Sequence, residues 1–359
     1  PFIRDDFGLD YTLTGLLLSV FSITYGLSQL PSGWLADRLG PRVLMAASIC
    51  GVAVGGVIIG LSPNYILLLI GLGLMGILGS AYHPAAVPLV ASTMDFTKRG
   101  RAIGIHAIGG NASYVIGPFF AVACAVAWGW RSAFLLLAIP TLIFGIFLYF
   151  RMSGFKPYQY SASETQNSIP AQGSIKQSGL YSFITLSSVV TVVTTTIISF
   201  IPLFMAANFG YGPEAAGLML VIIYSTGIIA SPLAGFMSDR LGRIPILIGS
   251  GLVLLPVLYF MSQVSNGWHI YLLLFILGGI IAFSQNSSES YIVGNVSREK
   301  CSSVLGTFYF ISMAGVGLLS PVLGALIDAR DFAFSFILLG SLVATVSLLY
   351  LVWHWIRKR

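Results

Sequence analysis

Charge is the scarcest property of this sequence. Only 8% of its 359 residues are Asp, Glu, Lys or Arg, while 56% are hydrophobic. A soluble domain carries roughly 25% charged residues. A chain this poor in charge has nothing with which to cover a water-facing surface, so lipid is the solvent that fits it. Cysteine is equally sparse. Cys50, Cys124 and Cys301 show no metal-ligand or disulfide-framework spacing. Cys50 and Cys124 lie inside apolar runs, where a thiol behaves as a small apolar group. No metal or cofactor is therefore expected. Metal-binding H-E-x-x-H, a serine nucleophile paired with a base, and the phosphate loop G-x-x-x-x-G-K-[ST] are all missing. Their absence argues against a membrane enzyme and against a pump with its own ATPase. The net charge of +6 is scattered over short loops and forms no basic patch with interleaved aromatics, so nucleic acid is not an expected partner.

Long unbroken apolar runs are what the sequence does have, for example 65–78 and 332–353. Barrel strands would alternate apolar and polar residues; unbroken runs read as spanning helices of about 20 residues. Spans are expected at 12–36, 43–61, 65–91, 101–127, 132–152, 180–205, 214–237, 244–263, 268–296, 302–327 and 332–355. The chain also repeats itself. Phe7-Gly8, Gly15, Gly33 and Asp37-Arg38-Leu39-Gly40 recur as Phe209-Gly210, Gly217, Gly235 and Asp239-Arg240-Leu241-Gly242, all at an offset of 202 residues. The span at 180–205 has no counterpart 202 residues earlier. One further helix, of about 20 residues, is therefore expected ahead of Pro1. The fold class is all-α and polytopic. Eleven helices are present and twelve expected, in an N-terminal bundle (1–152), a polar Ser/Gln-rich linker (153–179) and a C-terminal bundle (180–359).

Lys and Arg set the orientation. Arg38, Arg42, Lys98, Arg99, Arg101, Arg151, Lys156, Lys176, Arg240, Arg243, Arg298, Lys300, Arg357, Lys358 and Arg359 share one set of loops, against Arg4, Arg131 and Arg330 in the other. That asymmetry predicts a cytoplasmic linker and C-terminus. Trp128, Trp130, Trp268, Trp353 and Trp355 fall at predicted helix ends, as interfacial anchors should.

One loop carries a motif: Gly33-Trp34-Leu35-Ala36-Asp37-Arg38-Leu39-Gly40-Pro41-Arg42. Its second copy is Gly235-Phe236-Met237-Ser238-Asp239-Arg240-Leu241-Gly242-Arg243. Gly40 and Gly242 permit a tight turn, Gly33 permits close helix approach, and Asp37 could face the positive end of a neighbouring helix. Ordinary loop charge obeying the positive-inside rule is the alternative. The duplicated motif resembles the signature G-x-x-x-D-R-x-G-R-R of the major facilitator superfamily, and the resemblance covers the whole chain. It implies two pseudo-symmetric six-helix bundles and carriage of a small solute by alternating access, in a protein that is usually monomeric and sits in the inner membrane. It also implies that Asp37 latches the outward-facing state against the start of helix eleven, near Ser302 and Ser303. Pro41 stands where the family usually has a basic residue, which weakens the charge network there.

Tyr82-His83-Pro84-Ala85, the stretch Arg99-Gly100-Arg101-Ala102-Ile103-Gly104-Ile105-His106, then Gly109-Gly110-Asn111 and Gly117-Pro118 resemble the fosmidomycin-resistance-like branch of drug exporters. Gly117-Pro118 is similar to the antiporter motif G-x-x-x-G-P, with Ser113 in place of its first glycine. The arginine that drug/proton antiporters usually carry in helix four is missing. Proton-coupled efflux is the function this resemblance implies, and uptake by a facilitator or proton symporter stays open beside it.

Three residues of the Asp, Glu, Lys, Arg and His types fall well inside the predicted spans: Glu289, His83 and His106. A carboxylate at mid-bilayer costs roughly 2.5–3.5 kcal/mol on insertion scales. Glu289 lies in the polar run Ser284-Gln285-Asn286-Ser287-Ser288-Glu289-Ser290, two helical turns that cannot face lipid. Gln285, Asn286 and Glu289 share a face by i+3 and i+4 spacing. Glu289 reads as a proton carrier or as a structural glutamate bracing helix packing. His83 is the repeat counterpart of Gln285, and Pro84 and Pro88 should kink its helix. It could bind substrate, relay protons, or simply hydrogen-bond between helices. His106 has the same choices nearer the cytoplasm. Asn111 and Tyr114 could donate to a solute, with Tyr25 and Gln29 as weaker candidates. Arg101 and Arg151 stand at span ends and no Lys or Arg lies deeper inside a predicted span, which favours a neutral, zwitterionic or cationic substrate. Glycines 51, 55, 56, 60, 71, 73, 76 and 79 read as small-residue packing seams.

Overall fold

The computed structural model describes residues 1–91, 99–153, 177–264, 267–296 and 298–358. Their regular structure is helical: α1 (Phe2–Phe7), α2 (Tyr11–Leu39), α3 (Pro41–Gly60), α4 (Tyr65–Gly79), α5 (Tyr82–Ala91), α6 (Arg99–Trp128), α7 (Trp130–Arg151), α8 (Gln177–Phe209), α9 (Pro213–Leu241), α10 (Arg243–Gln263), α11 (Trp268–Asn295), α12 (Arg298–Ala329) and α13 (Phe332–Lys358). Among the described residues, nine helices are long and apolar enough to cross a bilayer, and Tyr65–Gly79 and Ala112–Trp128 are shorter apolar helices. Most of the expected linker, 154–176, lies outside the described residues. The chain divides into two compact units, Pro1–Leu16 with Ala171–Arg359, and Leu17–Pro170. The division falls within α2.

The 202-residue repeat is written into the backbone. Gly8 and Gly210 have φ of 61° and 66°, and Gly40 and Gly242 have 78° and 91°. These matched glycines end helices in a conformation that side-chain-bearing residues rarely adopt. Each unit also repeats its packing: α3 lies on α4 and α7 in one, and α10 on α11 and α13 in the other.

Two close helix contacts repeat too. In the unit Leu17–Pro170, a Cβ on Gly76 would collide with the Thr24 hydroxyl and sit 2.7 Å from the Phe21 carbonyl oxygen. In the other unit, a Cβ on Gly278 would collide with the Ile223 carbonyl and sit 2.9 Å from Thr226 Cβ. Gly76 and Gly278, and Thr24 and Thr226, are each 202 residues apart. Both threonines donate their hydroxyls within their own helix, Thr24 to Val20 O at 2.7 Å and Thr226 to Ile222 O at 2.8 Å. Each hydroxyl is thereby satisfied within its own helix while the threonine lies against the crossing glycine.

A second crossing repeats with its glycine exchanged. On α7, Gly145 faces Ile49 and Cys50 of α3, with a Cβ falling 2.6 Å from Cys50 Sγ. On α10, Gly251 faces Ser347 of α13. Residues 49 and 251, and 145 and 347, are again 202 apart. The glycine sits on the later helix in one unit and on the earlier helix in the other. The expected seam between α3 and α4 is present: a Cβ would fall 2.5 Å from Leu78 Cβ at Gly51, 2.8 Å from Met75 Cβ at Gly55, and 2.7 Å from Ile59 Cγ1 at Gly71.

Two expectations need correction. The span expected at 65–91 is two helices, with Gly79 the last residue of α4 and Tyr82 the first of α5. Pro84 has no N–H to give the carbonyl of residue 80, and its ring clashes with that carbonyl; the helix therefore breaks one turn before the proline rather than bending at it. Trp130 is not an interfacial anchor. It is buried, with Phe134 edge-on at 6.1 Å and the Arg131 guanidinium 4.3 Å above its ring, whereas Trp128 and Trp268 are exposed. Gly33, where close approach is expected, lies outside the residues whose surroundings are described; at its repeat counterpart Gly235 a Cβ would meet none of the described atoms within 4 Å.

Gly76→Val and Gly278→Val should each lower stability by about 1–3 kcal/mol, the usual cost of overpacking. Thermal unfolding of the detergent-purified protein measures this. Gly249→Ala, which adds its methyl to open space, should leave the midpoint unchanged or raise it.

Candidate functional site

The polar run of α11 is sorted by face. Ser284, Ser287 and Ser288 are buried. Ser288 donates to Ser284 O at 2.7 Å and accepts from Ser187 Oγ of α8. One turn further on, Tyr291 stacks on Phe183 of α8 with centroids 3.7 Å apart. This side of α11 is thus a packing surface for α8. Asn286 was expected to share a functional face with Gln285 and Glu289. It spends an amide proton on Ala282 O of its own helix at 2.8 Å.

Gln285 and Glu289 remain, one turn apart. Tyr309 of α12 donates its phenol to Glu289 Oε1 at 2.8 Å, and Gln285 also hydrogen-bonds the carboxyl. Glu289 has no ion pair among the described residues. Its partners are neutral, and that matters chemically. A phenol both donates and accepts, and a primary amide offers an oxygen as well as protons. The same pair can hold a carboxylate or a carboxylic acid without leaving either form unpaired. A fixed cation would hold only the ionised form.

Tyr309 was missed in the sequence. It stands on the helix after Glu289, and no spacing rule links residues on different helices. Of the other candidates, the side chains of His83, His106 and Asn111 lie outside the described residues. Tyr114 is exposed and lies near Tyr25, which hydrogen-bonds Gln29 and stacks on Phe21 at 5.7 Å. Tyr25, Gln29 and Tyr114 therefore form one group, in the unit Leu17–Pro170.

In the motif loops, the surroundings of Gly33 and the side chains of Asp37 and Asp239 lie outside what is described, as do the side chains of Ser302 and Ser303. Arg42 donates to Tyr149 O at 2.7 Å with its guanidinium 4.1 Å from the Tyr149 ring centre, joining the start of α3 to the end of α7. Arg240 lies 4.2 Å over the Phe236 ring, and Arg38 is exposed. Arg243 packs on Gly294 and lines a cavity of about 720 Å³ with Tyr291, Asn295 and His354 among mostly apolar neighbours. Glu289 and Tyr309 do not line that cavity.

Long apolar helices, a duplicated half and a carboxyl buried among neutral partners define a multi-pass membrane protein of the solute-carrier type. The chain belongs to the Major Facilitator Superfamily, whose model matches residues 1–196 and 183–359. It is 27% identical over 351 residues to the multidrug resistance protein MdtG of Citrobacter koseri, covering 95% of this chain and 84% of that protein. It is also 27% identical to MdtG of Proteus mirabilis, covering 94% and 85%. Among solved structures, a bacterial homologue of the human lysosomal transporter Spinster, inward-facing and occupied, superposes with a TM-score of 0.75 at 16% identity, covering 98% of this chain and 89% of that one. A POT family transporter in complex with 5-aminolevulinic acid gives 0.77 at 14% identity, covering 96% and 88%.

Tyr309→Phe keeps the ring and removes one hydrogen bond to Glu289. In infrared difference spectra recorded across a pH step, the carboxyl band should shift in Tyr309→Phe and vanish in Glu289→Gln. An unshifted band in Tyr309→Phe would mean that the phenol does not hold the carboxyl.

Proposed function

We propose that this chain is a secondary transporter that expels small neutral, zwitterionic or cationic compounds across a bacterial inner membrane by alternating access, in exchange for protons carried by Glu289. The observation that carries the reading is the Glu289 carboxyl in a membrane-spanning helix, held by Tyr309 and Gln285 without a cation among the described residues. Such partners suit a group that gains and loses a proton in each cycle. The efflux direction draws on the relatives, which are named multidrug resistance proteins. His83, His106, Asn111 and Tyr114 are proposed to border the solute path. Asp37 and Asp239, with Arg38, Arg42, Arg240, Arg243 and the loop glycines, are proposed to steady the cytoplasmic ends of two bundles, 1–152 and 180–359, joined by a cytoplasmic linker at 153–179.

The test uses everted membrane vesicles with an established proton gradient, a panel of cationic dyes, drugs, sugars and amino acids, and a fluorescent reporter of internal pH. Wild-type protein should release protons when a substrate is added, and Glu289→Gln should reduce that release at least tenfold. Equal release from both proteins would make Glu289 structural. Transport that survives Glu289→Gln and collapse of the gradient would identify a facilitator. Orientation has its own measurement: alkaline phosphatase, active only outside the cytoplasm, should be silent when fused after Arg359 and active when fused at Gly129.

A further inference from the structure

The first N–H groups of a helix have no acceptor inside it, and α2 fills its own from two sources. Leu13 N donates to Asp10 Oδ1 at 2.7 Å, and Thr14 N to Asp10 O at 3.1 Å. The two outermost groups go elsewhere. Tyr11 N donates to Asp328 Oδ1 at 3.0 Å, Thr12 N to Asp328 Oδ2 at 2.8 Å, and the Thr12 hydroxyl to the same Oδ2 at 2.6 Å. Asp328 is 316 residues away from Thr12, in the last turn of α12. One carboxylate thus takes three protons, with its charge at the positive end of the α2 dipole.

The helices are cut to bring it there. Gly15 of α2 faces the Ser320 carbonyl, and a Cβ on it would also lie 3.0 Å from Pro321 Cα. Gly324 of α12 faces the Tyr11 carbonyl, and a Cβ on it would lie 2.7 Å from Thr12 Cα. Ser320, Gly324 and Asp328 follow one another at i+4 along a single face of α12. Two close backbone contacts on this stripe end in the carboxylate. The inner part is dry, since Ser320 is fully buried, while the hydrogen bonds to Asp328 are exposed to solvent. Breaking them therefore strands no buried charge, because water replaces each partner. A permanent brace has no need of that property, and a contact made and broken in every cycle does.

We infer that Asp328 is the outer clasp of the transport cycle. Its carboxylate holds the start of α2 on the end of α12 in one state and releases it when the carrier opens to the outside. This rests on the proposed alternating-access reading and on the orientation that puts Tyr11 and Asp328 at the outer surface.

Labelling of a cysteine placed at Ser320, in a background with the native cysteines replaced by serine, tests the clasp without any substrate. A membrane-impermeant maleimide is added to whole cells. Asp328→Ala should raise the labelling rate about three- to tenfold. Asp328→Asn, which still accepts hydrogen bonds at a helix start, should stay within about twofold of the parent. If Asp328→Ala does not accumulate in the membrane, Thr12→Val carries the same test with a smaller expected rise. Labelling unchanged in every variant overturns the clasp. Release is tested with Thr12→Cys/Asp328→Cys, oxidised and then reduced, using ethidium efflux as the readout. Oxidation should block efflux at least fivefold and reduction should restore it. Equal efflux in both states makes the contact a static brace and overturns the inference. A cysteine-free parent that moves no ethidium counts against the efflux reading alone, and the labelling result still decides the clasp.

Discussion

Hydrocarbon offers no hydrogen bonds, and most of this molecule follows from that. Backbone groups that cannot bond to water must bond to each other within one segment, so the chain is helical throughout its described spans. Lipid tails are as apolar as leucine, so burying a helix face brings little gain, and association relies on close van der Waals contact. Gly76 over Phe21 and Thr24, and Gly278 over Ile223 and Thr226, are among the places where the contact is close. Larger residues at these points would hold the helices apart.

The same constraint decides where polarity is tolerated. On α11 Ser288 turns to Ser187 of α8, and Ser284 and Asn286 bond back to their own helix. Gln285 and Glu289 are then the members of the run that turn to Tyr309 and to each other. A two-turn polar stretch is thereby reduced to one carboxyl with neutral company. Chemical capacity is concentrated at a point, while the rest of the stretch serves packing.

Much of the fold was legible because its signals are local. Apolar runs of spanning length, glycine-aspartate loops and a fixed offset between copies can be read along a single line of text. The break before α5 was half legible: Pro84 and Pro88 announced a disturbance, but a proline acts on the carbonyl four residues earlier, which moved the break to residue 80. The candidate site was legible only in part. Glu289 stands out as an acid in an apolar span, whereas Tyr309 looks like any aromatic on a neighbouring helix. Asp328 looks like an ordinary charge at a helix end until its partners, 316 and 317 residues away, are seen. Contacts between helices have no spacing of their own, so they wait for the coordinates.

The exchanged glycine at the second crossing bears on how the halves have aged since duplication. Gly145 faces Ile49 in one half, and Gly251 faces Ser347 in the other. Compared position by position, residues 49 and 251 look unrelated, and so do 145 and 347. What has been inherited is the narrowness of the gap, which either partner can provide. At this crossing one small side is enough, and the two halves place the glycine on opposite sides. Kinship between the halves is therefore better judged by the summed bulk of facing pairs than by residue identity, and a search by identity alone will underestimate the extent of the repeat.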